Sequence, residues 1–185
     1  NPKVTMFTGQ EPPYGYLDWC PIDLHLNASA APYDDKDIRW AISYALDREK
    51  LVAIAEAGAG VPALHQFTPY GWFAPFEERL KADVFSKYTY DTAPHLDKVD
   101  EIMTGKGWEK NGDGFWEKDG ATFDMNIFIP DWLKAYGPPL AQQLQDAGFN
   151  AAFDNSPGLG TAVQTGEQLE SFGCKGPSGV LGMDP

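Results

Sequence analysis

The sequence predicts an α/β fold in which a mixed sheet is flanked by helices. Three observations predict it. Ile22, Leu24 and Leu26 alternate with Asp23, His25 and Asn27, and Phe123, Met125, Ile127 and Ile129 repeat at the same period of two. That spacing puts apolar side chains on one face of a strand. Ile38, Ala41, Ile42 and Ala45 instead recur at the period of a helix with one buried stripe. Strand-like and helix-like stretches interleave in the order β, αα, long loop, α, ββ, α, β, α, β, and interleaving of this kind builds a sheet covered by helices.

Taken in order, residues 3–7 and 16–27 read as strands, with Pro12-Pro13 and Gly15 turning the chain between them. Asp34 or Asp35 is the N-cap of the first helix, and Asp37 adds negative charge to its first turn, where the helix dipole favours it. Asp47 is a second cap candidate, and Gly58 and Gly60 end the helix that follows. Residues 61–90 are rich in proline, glycine and aromatics and read as a long structured loop that lays rings over a surface. Asp91 or Thr92 caps the next helix, whose apolar face carries Leu96, Val99, Ile102 and Met103. Residues 108–129 read as a hairpin turning at Asp119-Gly120, then a longer strand. Pro130 or Asp131 opens a helix broken or kinked near Gly137-Pro138-Pro139 and ended at Gly148. Strands over 149–153 and 168–173, with a short helix near 158–165 between them, complete the regular structure.

The chain has 185 residues, enough for one domain with a real core. Its net charge is -13 and its 14 basic residues are scattered, which argues against a nucleic-acid footprint. No apolar run approaches the ~20 residues that span a bilayer. Neither Cys20 nor Cys174 belongs to a C-x-x-C pair, so no zinc site is expected, and a disulfide between them needs a proximity that the sequence does not show. His25, His65 and His95 have no metal-ligand spacing. Asn111-Gly112-Asp113-Gly114 fails the calcium-loop pattern at Phe115 and Trp116, so it reads as a turn. Asp34, Asp35 and Asp37 are explained by helix capping and not by acid–base chemistry. No nucleophile-elbow or phosphate-loop motif is present. No cofactor is expected.

Leu26-Asn27, Pro32-Tyr33-Asp34-Asp35, Ile38-Arg39-Trp40-Ala41-Ile42 and Ala45-Leu46-Asp47-Arg48-Glu49-Lys50-Leu51 follow one another in this order. Tyr88-Thr89-Tyr90-Asp91, then Gly107-Trp108, then Asn111-Gly112-Asp113-Gly114-Phe115-Trp116 come next, followed by the unit Leu140 to Phe153. In sequence and order these resemble the extracellular solute-binding proteins of ABC importers, in the class that takes peptides, nickel or oligosaccharides (family 5). Gly105-Lys106-Gly107-Trp108 departs from the commoner Glu-Ala-Gly-Trp. The resemblance implies that residues 1–185 form one lobe, the C-terminal ligand-binding lobe, of a two-lobed periplasmic-binding-protein-like fold. It also implies a fragment that lacks the N-terminal lobe and the C-terminal end, which accounts for the missing signal pattern.

The implied partners are a small-molecule ligand, oligosaccharide or peptide, and an ABC permease, with no nucleic acid. Contact with the membrane is expected only through the permease or an anchor outside these residues. The implied location is periplasmic or extracellular, at the cell surface in a Gram-positive bacterium or an archaeon. Peptide-binding members carry an aspartate for the ligand's α-amino group shortly before a final Asp-Pro. Counting back from Asp184-Pro185 places Leu181 there, so the amine anchor is absent. A buried ammonium without a counter-charge is costly, which favours a neutral ligand, an oligosaccharide such as a β-glucan or chitin fragment. Phe172-Gly173-Cys174 also looks more like the sugar-binding members.

The ligand-binding candidates are Trp19, Trp72, Phe73, Asn155 and Gly173, because sugars lay C–H faces on rings while polar neighbours satisfy their hydroxyls. Trp132 is a further aromatic weighed for contact, with packing the better expectation for it. Trp40, Trp108 and Trp116 fit packing roles. A dipeptide- or oligopeptide-binding member is the alternative within the family. Outside it stand a glycan-processing enzyme domain, disfavoured because every carboxylate pair is already used in capping, and an interaction lobe that docks a membrane sensor.

Overall fold

The structure is a computed structural model that describes residues 21–65, 71–88 and 91–174. Two compact units are formed by interleaved segments. Among the described residues, one comprises 21–22, 48–65, 71–88, 91–92 and Cys174, and the other Asp23–Asp47 and Ala93–Gly173.

The second unit is built on a four-stranded sheet in the order β1-β7-β5-β6, where β1 is Ile22–Leu26, β5 Asp124–Phe128, β6 Asn150–Asp154 and β7 Glu170–Cys174. Strand β5 runs parallel to both β6 and β7. The Asn27 amide donates to Leu169 O at 2.9 Å, so the end of β1 lies beside the start of β7 and the two strands run oppositely. The sheet is therefore mixed, as the sequence predicts. Alternation in β5 buries Met125 and Ile127, and Phe123 and Ile129 are buried at its ends.

Helix α1, Lys36–Tyr44, starts at Asp35, whose carboxylate accepts from Asp37 N, and its predicted stripe of Ile38, Ala41 and Ile42 is buried, followed by Ala45. It packs against α4, Leu96–Gly105, which buries Val99 and Met103. Helix α5, Gly137–Asp146, covers β6 with Leu140 and Leu144 in the core. The break or kink expected near Gly137-Pro138-Pro139 is a junction between two helical segments. A 3-10 turn over Asp131–Tyr136 ends there and α5 begins, with proline in its first turn, where no N–H is missed. The short helix α6 spans Leu159–Thr165.

A small antiparallel sheet of β2 Glu109–Lys110, β3 Trp116–Lys118 and β4 Ala121–Thr122 precedes β5. Asn111 Oδ1 accepts from Asp113 N and Phe115 N, both at 3.0 Å, which folds the glycine-rich stretch into the expected turn. Asp119 and Gly120 both have positive φ, as a two-residue hairpin turn requires. Trp116 is buried, donating from Nε1 to Ala147 O at 2.9 Å, and Trp108 packs on Phe123. Both are structural, as expected.

In the first unit, α2 spans Arg48–Ala55 and α3 Ala74–Asp83. Helix α3 corrects the expectation of a loop over 61–90. Pro75 sits in the first turn, where proline is tolerated, and Glu77-Glu78-Arg79-Leu80-Lys81-Ala82 are all good helix formers. The proline and aromatic content of the flanks masked them. A second correction concerns α4, which starts after His95 and not at Asp91 or Thr92. Thr92 Oγ1 donates to Glu49 Oε1 at 2.7 Å instead. Leu96, placed on the apolar face by its spacing, is 43% exposed at the helix's first turn. Cys174 is disulfide-bonded, and Cys20, the chain's other cysteine, lies outside the described residues. Among the described residues no helix is long and apolar enough to cross a membrane.

Candidate functional site

Because β5, β6 and β7 are parallel, their carboxyl ends share one edge of the sheet. Open α/β sheets place ligands at such an edge, where the turns leaving the strands carry side chains that the sheet does not bury. Phe128 registers with Asp154 of β6 and with Ser171 of β7. Asn155 follows the first of these directly, and Gly173 lies two residues beyond the second. The sequence candidates Asn155 and Gly173 therefore belong to the same edge.

The turns along it are tied together. Ile129 N donates to Asp154 O at 2.9 Å, and Asn155 Nδ2 donates to Asp131 Oδ1 at 2.8 Å. Asp154 Oδ1 accepts from Ser156 Oγ at 2.6 Å and from Ser156 N at 2.7 Å. These hydrogen bonds, the hydroxyl's first, hold the Asp154 carboxyl below the usual carboxylate range. After β5, the 3-10 turn buries Leu133 and Tyr136, and Tyr136 packs on Phe172 of β7 with ring centroids 5.1 Å apart. Trp132, directly before Leu133 in sequence, is left 67% exposed. A Cβ at Gly173 would meet only His25 Cε1, at 4.0 Å, so packing does not demand glycine there.

The first unit carries a second arrangement. Gly71–Phe73 form a 3-10 turn leading into α3. Trp72 and Phe73 stack with centroids 4.0 Å apart and planes 25° from parallel. Phe76 lies 6.2 Å from Phe73, and the Arg79 guanidinium sits 5.9 Å above the Phe76 ring. Trp72 stacks on Phe73 and is 68% exposed. The structure thus brings Trp72 and Phe73 together in one unit and sets Asn155 and Gly173 on one sheet edge in the other. Trp19 and Leu181 lie outside the described residues.

Asp131 and Asp154 were missed as partners at this edge. The stretch Pro130-Asp131-Trp132, directly after an alternating strand, was the available signal for the first. Nothing in the sequence pairs Asp131 with Asn155, because the contact spans 24 positions. Among the described residues, no group of three or more His, Cys, Asp or Glu is placed to hold a metal ion. The arrangement offers hydrogen bonding and aromatic stacking, which are means of binding.

Residues 10–169 match the family described as bacterial extracellular solute-binding proteins, family 5 Middle. The oligopeptide-binding protein AppA of Bacillus subtilis is 30% identical over 115 residues, covering 62% of this chain and 18% of that protein. A mannohexaose-bound periplasmic oligopeptide-binding protein from Thermotoga maritima superposes with a TM-score of 0.71 at 21% identity, over 92% of this chain and 32% of the other. NikZ from Campylobacter jejuni, solved with Ni(L-His), gives 0.65 at 18% identity, over 85% of this chain and 30% of the other. AppA bound to a nonapeptide gives 0.65 at 20% identity, over 84% and 31%. The likeness to these structures is one of fold. The chain spans about a third or less of the length of the relatives it matches. With the match extending over most of its residues, the chain belongs to the bacterial extracellular solute-binding proteins of family 5.

Proposed function

We propose that this chain contributes one ligand-binding lobe to a solute-binding protein that serves an ABC importer in the periplasm or at the cell surface, and that the solute is an oligosaccharide. The role is capture and delivery, without catalysis. Solute enters between two lobes, contacts made only in the closed form shift the population toward closure, and the closed form docks on the permease. The observation that carries the sugar reading is the Trp72–Phe73 stack. A largely exposed indole stacked on a second ring is an aromatic surface of the kind that takes the C–H side of a pyranose. Trp72, Phe73, Asn155, Gly173 and Trp19 are the residues proposed to contact it.

Titration calorimetry of the natural protein that carries these residues tests the reading, with chitohexaose, mannohexaose and a nonapeptide as probes. Sugar binding that Trp72→Ala abolishes is the expected result. Nonapeptide binding without sugar binding would replace the oligosaccharide with a peptide. That second reading has its own support, since the relative at 30% identity is named as an oligopeptide-binding protein.

A further inference from the structure

We infer that Asn111 is a site of spontaneous deamidation, where the backbone nitrogen of Gly112 displaces the side-chain amide and leaves aspartate or isoaspartate. Asn111 is the one asparagine of this chain that a glycine follows. It lies in the turn between β2 and β3, which the proposed solute binding does not use.

The nucleophile is the Gly112 amide nitrogen. Its covalent link to Asn111 keeps it beside the side-chain carbonyl carbon, Cγ, and attack there closes a succinimide ring. Gly112 has no side chain to hinder that approach, and it is exposed. Attack puts negative charge on Asn111 Oδ1. That oxygen already accepts from Asp113 N and Phe115 N, both at 3.0 Å, so two backbone donors stand where the charge develops. Asn111 N donates to Phe115 O at 2.8 Å and Gly114 N to Asn111 O at 3.0 Å, which sets these donors in place beforehand. As the new N–Cγ bond forms, the Cγ–Nδ2 bond breaks. The proton lost by Gly112 passes through solvent to Nδ2, which departs as ammonia. Water then adds to either carbonyl of the ring and opens it at that C–N bond. An open cavity of about 410 Å³, lined in part by Asn111, Glu117 and Lys118, gives water access to this side chain.

Either product alters the hairpin. Asn111 Nδ2 donates to Glu117 Oε2 at 3.5 Å, and aspartate puts a carboxylate in place of that donor. Glu109 and Glu117 already stand opposite each other in the β2–β3 register, so a further negative charge there is unfavourable. Isoaspartate also lengthens the backbone at the residue whose amide closes the turn on Phe115 O. The change runs in one direction, so it marks the age of the molecule.

The test is peptide-mapping mass spectrometry of the natural protein incubated at mildly alkaline pH, with isoaspartyl methyltransferase labelling of the products. Asn111 should gain the mass of the amide-to-acid change before any other asparagine, in part as isoaspartate. Asn155, exposed and followed by Ser156, is the internal control. Gly112→Ala should slow the conversion several-fold. A Cβ there meets nothing within 4 Å, so the unfolding temperature should not change. The same protein unfolded in guanidinium chloride lacks the two donors to Oδ1 and should convert at Asn111 no faster than the native form. Faster conversion on unfolding would mean that the turn protects Asn111, and would overturn the inference. So would conversion of Asn155 ahead of Asn111, or equal rates in Gly112→Ala and the unaltered protein.

Discussion

The hydroxyl of Tyr33 donates to Glu170 Oε1 at 2.6 Å, inside the core of the sheet-bearing unit and across 137 positions of sequence. Tyr33 is fully buried and stands in the Pro32-Tyr33-Asp34-Asp35 stretch that enters α1, while Glu170 opens β7. Gln168 Nε2 also reaches the Glu170 carboxylate, at 3.4 Å. Burial first, then the hydrogen bond, pushes the Tyr33 hydroxyl far above the usual phenol range, and burial pushes the Glu170 carboxyl up.

Removing one partner of this pair exposes its asymmetry. Tyr33→Phe leaves a buried carboxylate with less compensation and should cost about 1–3 kcal/mol in urea unfolding. Glu170→Gln keeps an acceptor for the Tyr33 hydroxyl and removes the buried charge, so it should be near neutral at pH 7. A larger loss in Glu170→Gln than in Tyr33→Phe would contradict this account.

The same pair sets a pH dependence. Glu170 has a raised folded pKa, so the folded state holds this proton more tightly than the unfolded chain does. Stability from this group is fully present below the ordinary glutamate value and falls as pH rises through the elevated folded value. Asp35 works in the opposite direction. The Lys106 ammonium, 2.8 Å away, and the Asp37 amide hold its carboxyl below the usual range, so its contribution is lost as pH falls below the ordinary aspartate value. Unfolding followed from pH 3 to pH 8 in Glu170→Gln should show a smaller decline toward neutral pH. In Asp35→Asn it should show a smaller decline toward acid.

Asp35 also caps α1 through its bond to Asp37 N at 2.8 Å, so Asp35→Ala should cost about 1 kcal/mol. Lys106→Met, which removes an exposed ion bridging Asp35 and Asp37, should cost less, and its effect should fade in high salt. Urea midpoints at low and high ionic strength separate the two.

Two glycines hold places that alanine cannot take. At Gly137 a Cβ would come within 2.6 Å of the Phe153 ring, between α5 and β6. Gly137→Ala should destabilise by about 1–3 kcal/mol through overpacking, and Phe153→Leu in the same chain should recover part of it. At Gly148, φ is +95° and a Cβ would approach Trp116 Nε1 to 2.9 Å, so Gly148→Ala carries both backbone strain and a clash. Its loss should be at least as large, and it should be read by the same urea titration.

The sequence by itself determined the class of fold, the covered strands, the stripe of α1 and the glycine that ends α5. Each of these rests on spacing between near neighbours, which one chain displays directly. Its ordered motifs also pointed to the family that the comparison then showed. Helix α3 was hidden because the chain read as loop wherever proline and aromatics were dense, although Pro75 occupies the one turn of a helix that accepts it. The tertiary structure alone decided which polar residues meet. Tyr33 finds Glu170, Asn155 finds Asp131 and Gln143 finds Asp47, at separations of 137, 24 and 96 positions. Such pairings depend on strand order and register, to which neither residue type nor local period gives access. The same holds for Trp132, an aromatic weighed for ligand contact with packing the better expectation, which is left exposed in a turn that buries Leu133 and Tyr136.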